Sequence, residues 1–373
     1  MPEDIELNNL ENSFGKDSVE SPINKKPDAP KPPAQPTQTI KQYASPPIEW
    51  DITQSTIQNL ENKLGGKVIT YFVDTNIIDD DVKYFYSHLK NIGHQGKLFF
   101  ILYSYGGDGK ASWRIASLLK NFCDELVVVI PEVAASAATM LSLAADQLIM
   151  TPLSYLTAVD TSVTHPLNPR SERNLPVSVE LDQVTRAVKL LEKKENSDSA
   201  DVYKTIFNYI HPIALGALER TTNLSEMICQ DIMELPQKNQ LSEDVKSNIV
   251  TRLNTYYPAH SYPIPREKAK ELGLNVVFSD KELDDMLWKL ISTYRFMVEP
   301  VRTDNGNLVH KERTLKIIES LGAMLVVNNI LEERLDTIIK GWTTLRNEFR
   351  WLRYFIRKTE DGKEQLCYTK LDF

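Results

Sequence analysis

An α/β protein on a parallel core sheet is predicted from three observations. From Trp50 onward, short apolar runs alternate with helix-spaced segments. Three strand–helix units then follow one another without a break, and two of their strands end in turns built from glycine or alanine. Consecutive strand–helix units imply parallel strands joined by right-handed crossovers. The elements come in order. Lys67–Val73 is a strand of β-branched and aromatic residues, and Val82, Phe85, Tyr86 and Leu89 recur at helical spacing behind it. Leu98–Tyr103 is the second strand, followed by a helix over 109–122. Leu126–Ile130 is the third, leading into a helix over 135–145 and a short strand at Gln147–Met150.

Beyond Pro176 the chain turns mostly helical, over about 178–195, 200–222, 224–234, 242–253 and 281–298. The last opens with the capping pair Ser279 and Glu282. From 301 to 373 the texture changes again. Asp304-Asn305-Gly306 and Asp361-Gly362 are hairpin turn signals, which place a small α+β region there. The first 47 residues hold nine of the twenty prolines among polar side chains, and so read as a disordered leader. The domain plan is thus 1–47, 48–300 and 301–373.

Forty-three basic against 51 acidic residues give a net charge of −8, so bulk attraction to nucleic acid or anionic lipid is not expected. Cys123, Cys229 and Cys367 form no CxxC pair, which fits a reducing compartment. The acidic start lacks an apolar signal region, and the apolar stretch 126–150 is interrupted by Pro131, Glu132 and Asp146. A cytoplasmic protein with no membrane span is expected. No metal is expected, since His88, His94, His260 and His310 show no ligand spacing with cysteine or acidic residues. Nor does any motif call for a cofactor.

Two turns carry the chemistry. Ser104-Tyr105-Gly106-Gly107-Asp108-Gly109 departs from a phosphate loop at both ends, but paired glycines can lay backbone N–H groups bare, as an oxyanion hole requires. Pro131-Glu132-Val133-Ala134-Ala135-Ser136-Ala137-Ala138-Thr139-Met140 surrounds one serine with tiny side chains at a helix start. Alone, the first could be a plain tight turn and the second an ordinary N-cap. After neighbouring parallel strands, both face one cleft at the carboxyl ends.

Tyr-Gly-Gly after an apolar strand, then Ala-Ala-Ser-Ala-Ala-Thr-Met, then Ala144–Ser154, resembles the Clp/crotonase fold of caseinolytic proteases and signal peptide peptidases. Tyr209–Gly216, Arg220, and His260–Ile264 followed by Arg266–Ala269 and Leu272–Leu274 are similar to the serine dehydrogenase proteinase (SDH) family within it. The resemblance spans roughly 65–290. It implies a serine peptidase acting on peptides or proteins, with Ser136 as nucleophile and an oxyanion hole on Gly107 and Ala137. By fold analogy it also implies a homo-oligomer.

The histidine that caseinolytic proteases carry after Pro-x-Ser is missing, because Pro152-Leu153-Ser154 leads to Val159. Three substitutes stand as base: Lys189, His165 and His211, with Asp160 as an orienting acid. Lys189 falls on the polar side of its helix. A crotonase-like acyl-CoA enzyme, which needs no serine nucleophile, and a degenerate Clp-fold scaffold are the rival readings.

Overall fold

In the computed structural model, residues 44–371 are described apart from 160–161, 164, 178, 196–203, 205, 236–237, 239, 258, 337–339 and 360. The leader therefore lies almost wholly outside the described residues. Helix α1 (Trp50–Leu64), not singled out by its sequence, comes first; Gly65, at φ 73°, ends it in the left-handed region. Strands β1 (Lys67–Val73), β2 (Gln95–Ser104), β3 (Cys123–Ile130) and β5 (Gln147–Met150) then run parallel. Helices α2 (Asp81–Ile92), α3 (Gly109–Asn121) and the short α4 (Ala137–Ser142) lie between them. The stretch 126–150 thus resolves into strand, turn, helix and strand. Among the described residues no helix is long and apolar enough to cross a membrane.

The strands are apolar throughout because both faces are covered. Ile69, Tyr71, Phe100, Leu102, Val128 and Ile130 pack on one side with residues of α2, α3 and α4. Val68, Phe72, Phe99, Ile101, Val127 and Val129 pack on the other, against α1 and a late helix, Lys281–Val298. Period-two alternation therefore sorts each strand between two cores.

The helical half contains α5 (Leu181–Glu195), α6 (Pro212–Met233), α7 (Glu243–Thr251), a π-helical turn over Arg252–Tyr256, α8 (Arg266–Glu271) and α9 (Lys281–Val298). The helices expected on either side of Asn223 run together as α6, opened by Pro212 in its first turn. Short strands β4 (Val133–Ala134), β6 (Tyr155–Leu156), β7 (Ser162–Val163), β8 (Val179–Glu180), β9 (Ile264–Pro265) and β10 (Val276–Phe278) complete this part.

Residues 301–371 depart from the expected α+β region. Their described residues form strands only: β11 (Val301–Asn305), β12 (Leu308–Ser320), β13 (Ala323–Asp336), β14 (Gly341–Lys358) and β15 (Glu364–Leu371). Both hairpin signals sit at turns, and Tyr354 pairs with Tyr368 across the second. The main sheet order is β10-β5-β3-β2-β1-β12-β13-β14-β15. β12 lies antiparallel on β1, with Ile69 opposite Ser320, so the sheet is mixed rather than wholly parallel. The physical reason is the free edge of β1, a row of unpaired N–H and C=O groups inside an apolar layer that β12 satisfies.

Candidate active site

β2 ends in Ser104, and β4 pairs beside it through Ser104 and Ala134, so the glycine turn and the serine turn leave the sheet together. Ser104 ties them. Its carbonyl accepts from Ala135 N–H at 2.9 Å, and its buried hydroxyl accepts from Gly106 N–H at 3.0 Å. A Cβ placed on Gly106, at φ +109°, would fall 2.8 Å from Ser136 Cβ and 3.1 Å from the nitrogen of Ala137. Only glycine allows the approach.

Ser136 stands at φ 51°, ψ −119°, a conformation that costs a non-glycine residue roughly 1–3 kcal/mol and is held only where surroundings fix it. They do so here. Its N–H donates to Thr157 Oγ1 at 2.8 Å, and Thr139 Oγ1 in turn donates to the carbonyls of Ala134 and Thr157 at 2.7 and 3.1 Å. Its half-buried hydroxyl makes no hydrogen bond among the described residues. Nor do the N–H groups of Gly107 and Ala137, the second being a first-turn donor that α4 cannot use. A serine hydroxyl and two bare donors thus sit on touching turns.

The Gly107 donor is aimed by the chain before α2. Ile77 N–H donates to Gly106 O and Asp108 N–H donates to Ile77 O, each at 2.8 Å, which turns the N–H of Gly107 away from Ile77. Ile78 N–H donates to Asp81 Oδ2 at 3.0 Å. Fully buried Asp81 also receives the Tyr71 hydroxyl at 2.6 Å and both contacts of Lys316 Nζ, at 2.7 and 2.6 Å. Burial pushes the Asp81 carboxyl up, against the opposing pull of Lys316, and pushes the Lys316 ammonium down. Lys316 comes from β12, so the C-terminal strands reach under the glycine turn. Sequence reading missed Lys316, which carries no motif, and the tie that Ser104, the first residue of the glycine turn, makes to both turns.

No hydrogen bond joins Ser136 to Lys189, His165 or His211 among the described residues. Lys189 is exposed on α5, whose buried contacts come from Val184. His165 accepts from Leu167 N–H at 3.2 Å, and exposed His211 caps α6 by accepting from Ile213 N–H at 3.2 Å. These are local backbone roles. Asp160 lies outside the described residues. Strand pairing ties a later part of the chain to the serine turn: Ala134 lies beside Leu156, and Leu156 opposite Ile264. The half-buried His260 sits four residues before Ile264, on the chain entering that row.

Parallel strands ending in a glycine pair and a strained serine turn define a Clp-type α/β fold. A family model described as ClpP-like SDH-type serine proteinase matches residues 77–306, and the chain belongs to that family. It is similar to "Uncharacterized protein MJ0137" of Methanocaldococcus jannaschii, 28% identical over 216 residues. The match takes in 55% of this chain and 65% of the relative, just under two thirds of its length. Solved structures similar to it include the ClpP protease catalytic domain from Plasmodium falciparum, at 12% identity and TM-score 0.33, covering 64% of this chain and 96% of that one. ClpP1 from Listeria monocytogenes matches at 14% identity and TM-score 0.28, covering 61% of this chain and 98% of that one.

Proposed function

We propose that this chain is a serine peptidase that cleaves peptide bonds through an acyl-enzyme on Ser136. The observation that carries the reading is the strained serine beside two acceptor-free N–H groups on the adjoining turns. Ser136 Oγ attacks the scissile carbonyl carbon while a base takes its proton. The N–H groups of Gly107 and Ala137 receive the charge that develops on the carbonyl oxygen. Collapse expels the amine, protonated by the base, and water then releases the acyl group by the reverse sequence.

For the base we favour His260, on the register that leads its chain past Leu156 toward Ser136, with Asp160 keeping the orienting role. His165, His211 and Lys189 are its competitors. Exposed Leu190, Tyr209, Ile213 and Met227 on and around α5 and α6 support a homo-oligomer that covers this flank. Three free cysteines, two of them buried, support work in a reducing compartment.

The test is intact-protein mass spectrometry after a fluorophosphonate probe, with wild type beside Ser136→Ala. One adduct on wild type and none on the variant supports the reading. A folded wild type without adduct rejects it. Alanine at each of the four base candidates in turn then identifies the base as the one whose loss slows labelling about 100-fold or more.

A further inference from the structure

Outside the two turns, a cavity of about 510 Å³ is lined by arginine, lysine and tyrosine side chains. Arg252 and Tyr256 of the π-helical turn line it together with Tyr262, Lys268 and Arg186 of α5. Glu271 is its one acidic lining residue, so three cations outnumber one carboxylate in a chain of net charge −8. The Arg252 guanidinium lies 4.5 Å from the centroid of the Tyr256 ring and has no carboxylate partner among the described residues. Lys268 Nζ donates to the Tyr262 hydroxyl at 2.5 Å, and Tyr262 stacks on Tyr257 at 4.9 Å. Arginine on an aromatic face, with its fork unsatisfied, is suited to a planar carboxylate. π-helical turns of this kind gather at functional sites.

The backbone links the wall of the cavity to the proposed peptidase site. Val159 N–H donates to the carbonyl of Leu253, next to Arg252, at 3.0 Å, and Thr157, two residues before Val159, holds the Ser136 backbone.

We propose that this cavity receives a carboxylate of the peptide substrate, from an acidic side chain or the C-terminus, and so sets the preferred sequence around the cleaved bond. The proposal rests on the peptidase reading. It is tested without catalysis, on the full chain carrying Ser136→Ala, by fluorescence anisotropy with four labelled decapeptides: C-terminal acid, C-terminal amide, amide with one internal Glu, and the same with Gln. The expected result is at least tenfold tighter binding of the acid over the amide, or of Glu over Gln, and whichever pair differs identifies the source. Arg252→Gln should abolish that ratio, and Lys268→Gln, at an exposed position, should reduce it. Equal affinities within both pairs, or a ratio untouched by both variants, overturns the proposal. So does tighter binding of inorganic phosphate than of any peptide. Fluorophosphonate labelling of wild type reports the peptidase reading separately, so its failure leaves the anisotropy result intact.

Discussion

Gly107→Ala isolates the contribution of one bare N–H group. Gly107 stands at φ +144°, and a Cβ there would lie 2.3 Å from Ile77 O and 2.4 Å from Ile77 N. Both are rigid backbone atoms. Since a Cβ rarely approaches closer than 3.0 Å, the turn must retreat by about 0.7 Å. A donor displaced by that amount no longer meets an oxygen placed for a hydrogen bond of about 2.9 Å. Losing one oxyanion donor lowers turnover by roughly 10² to 10³. The two hydrogen bonds to Ile77 are strained together, a stability cost of about 1–3 kcal/mol. The assay is the second-order rate of fluorophosphonate adduct formation on Ser136, beside thermal melting. Gly216→Ala is the control: it sits in α6 with nothing within 4 Å of the added carbon, and should melt slightly higher at unchanged rate. A folded Gly107→Ala protein labelled within threefold of wild type would refute the oxyanion assignment.

Ser136→Gly should abolish labelling yet raise stability by about 1 kcal/mol, since glycine accepts the positive φ without strain; a lower melting temperature would show the turn to be unstrained. Lys316→Met leaves Asp81 as an uncompensated buried carboxyl and should cost about 3–5 kcal/mol in denaturant unfolding, with slower Ser136 labelling in the fraction that folds. A loss under 1 kcal/mol would mean that Asp81 is already neutral. Burial pushes the Glu319 carboxyl up to about 7, against hydrogen bonds from Thr53, Tyr294 and Gln54. Native Glu319 keeps its proton where the unfolded residue has lost it. Its contribution is therefore full below about pH 4.5, declines as pH rises, and levels off above about 7. Glu319→Gln should remove that slope, about 3 kcal/mol between pH 4.5 and 8 in chemical unfolding; an unchanged slope would place the titration elsewhere.

The parallel core was legible because its signals are local. β-branched runs and helical spacing fix β1, β2, β3 and β5 within a few residues, and α9 begins and ends where its spacing places it, although Asp280, accepting from Leu283 N–H at 2.9 Å, is its N-cap rather than the expected Ser279, whose hydroxyl turns to Met150 O and Asp284. The two turns were legible for the same reason, since glycine pairs and alanine-flanked serines announce backbone geometry. What stayed hidden depends on distant partners. No local feature of Lys316 says that it will meet Asp81, 235 residues away, and Ser104 looks like any strand-end serine. Nor does any local signal say that β6 and β9 will pair, which brings a chain more than 100 residues later beside the serine turn. The polar and apolar alternation of 301–371 suits hairpins, but nothing in it states that β12 will join β1.

That junction has a consequence for how the molecule is made. A ribosome completes β1 about 250 residues before the β12 segment that pairs with it. At synthesis rates of about 5–20 residues per second, the sheet waits many seconds with its central strand open on one side. Loop closure over that span is slow, and the same strands are meanwhile competent to pair with a neighbouring nascent chain. A release before residue 308 would leave β1 unpaired and Asp81 without Lys316. Completion of translation and assembly of the glycine turn are thus coupled.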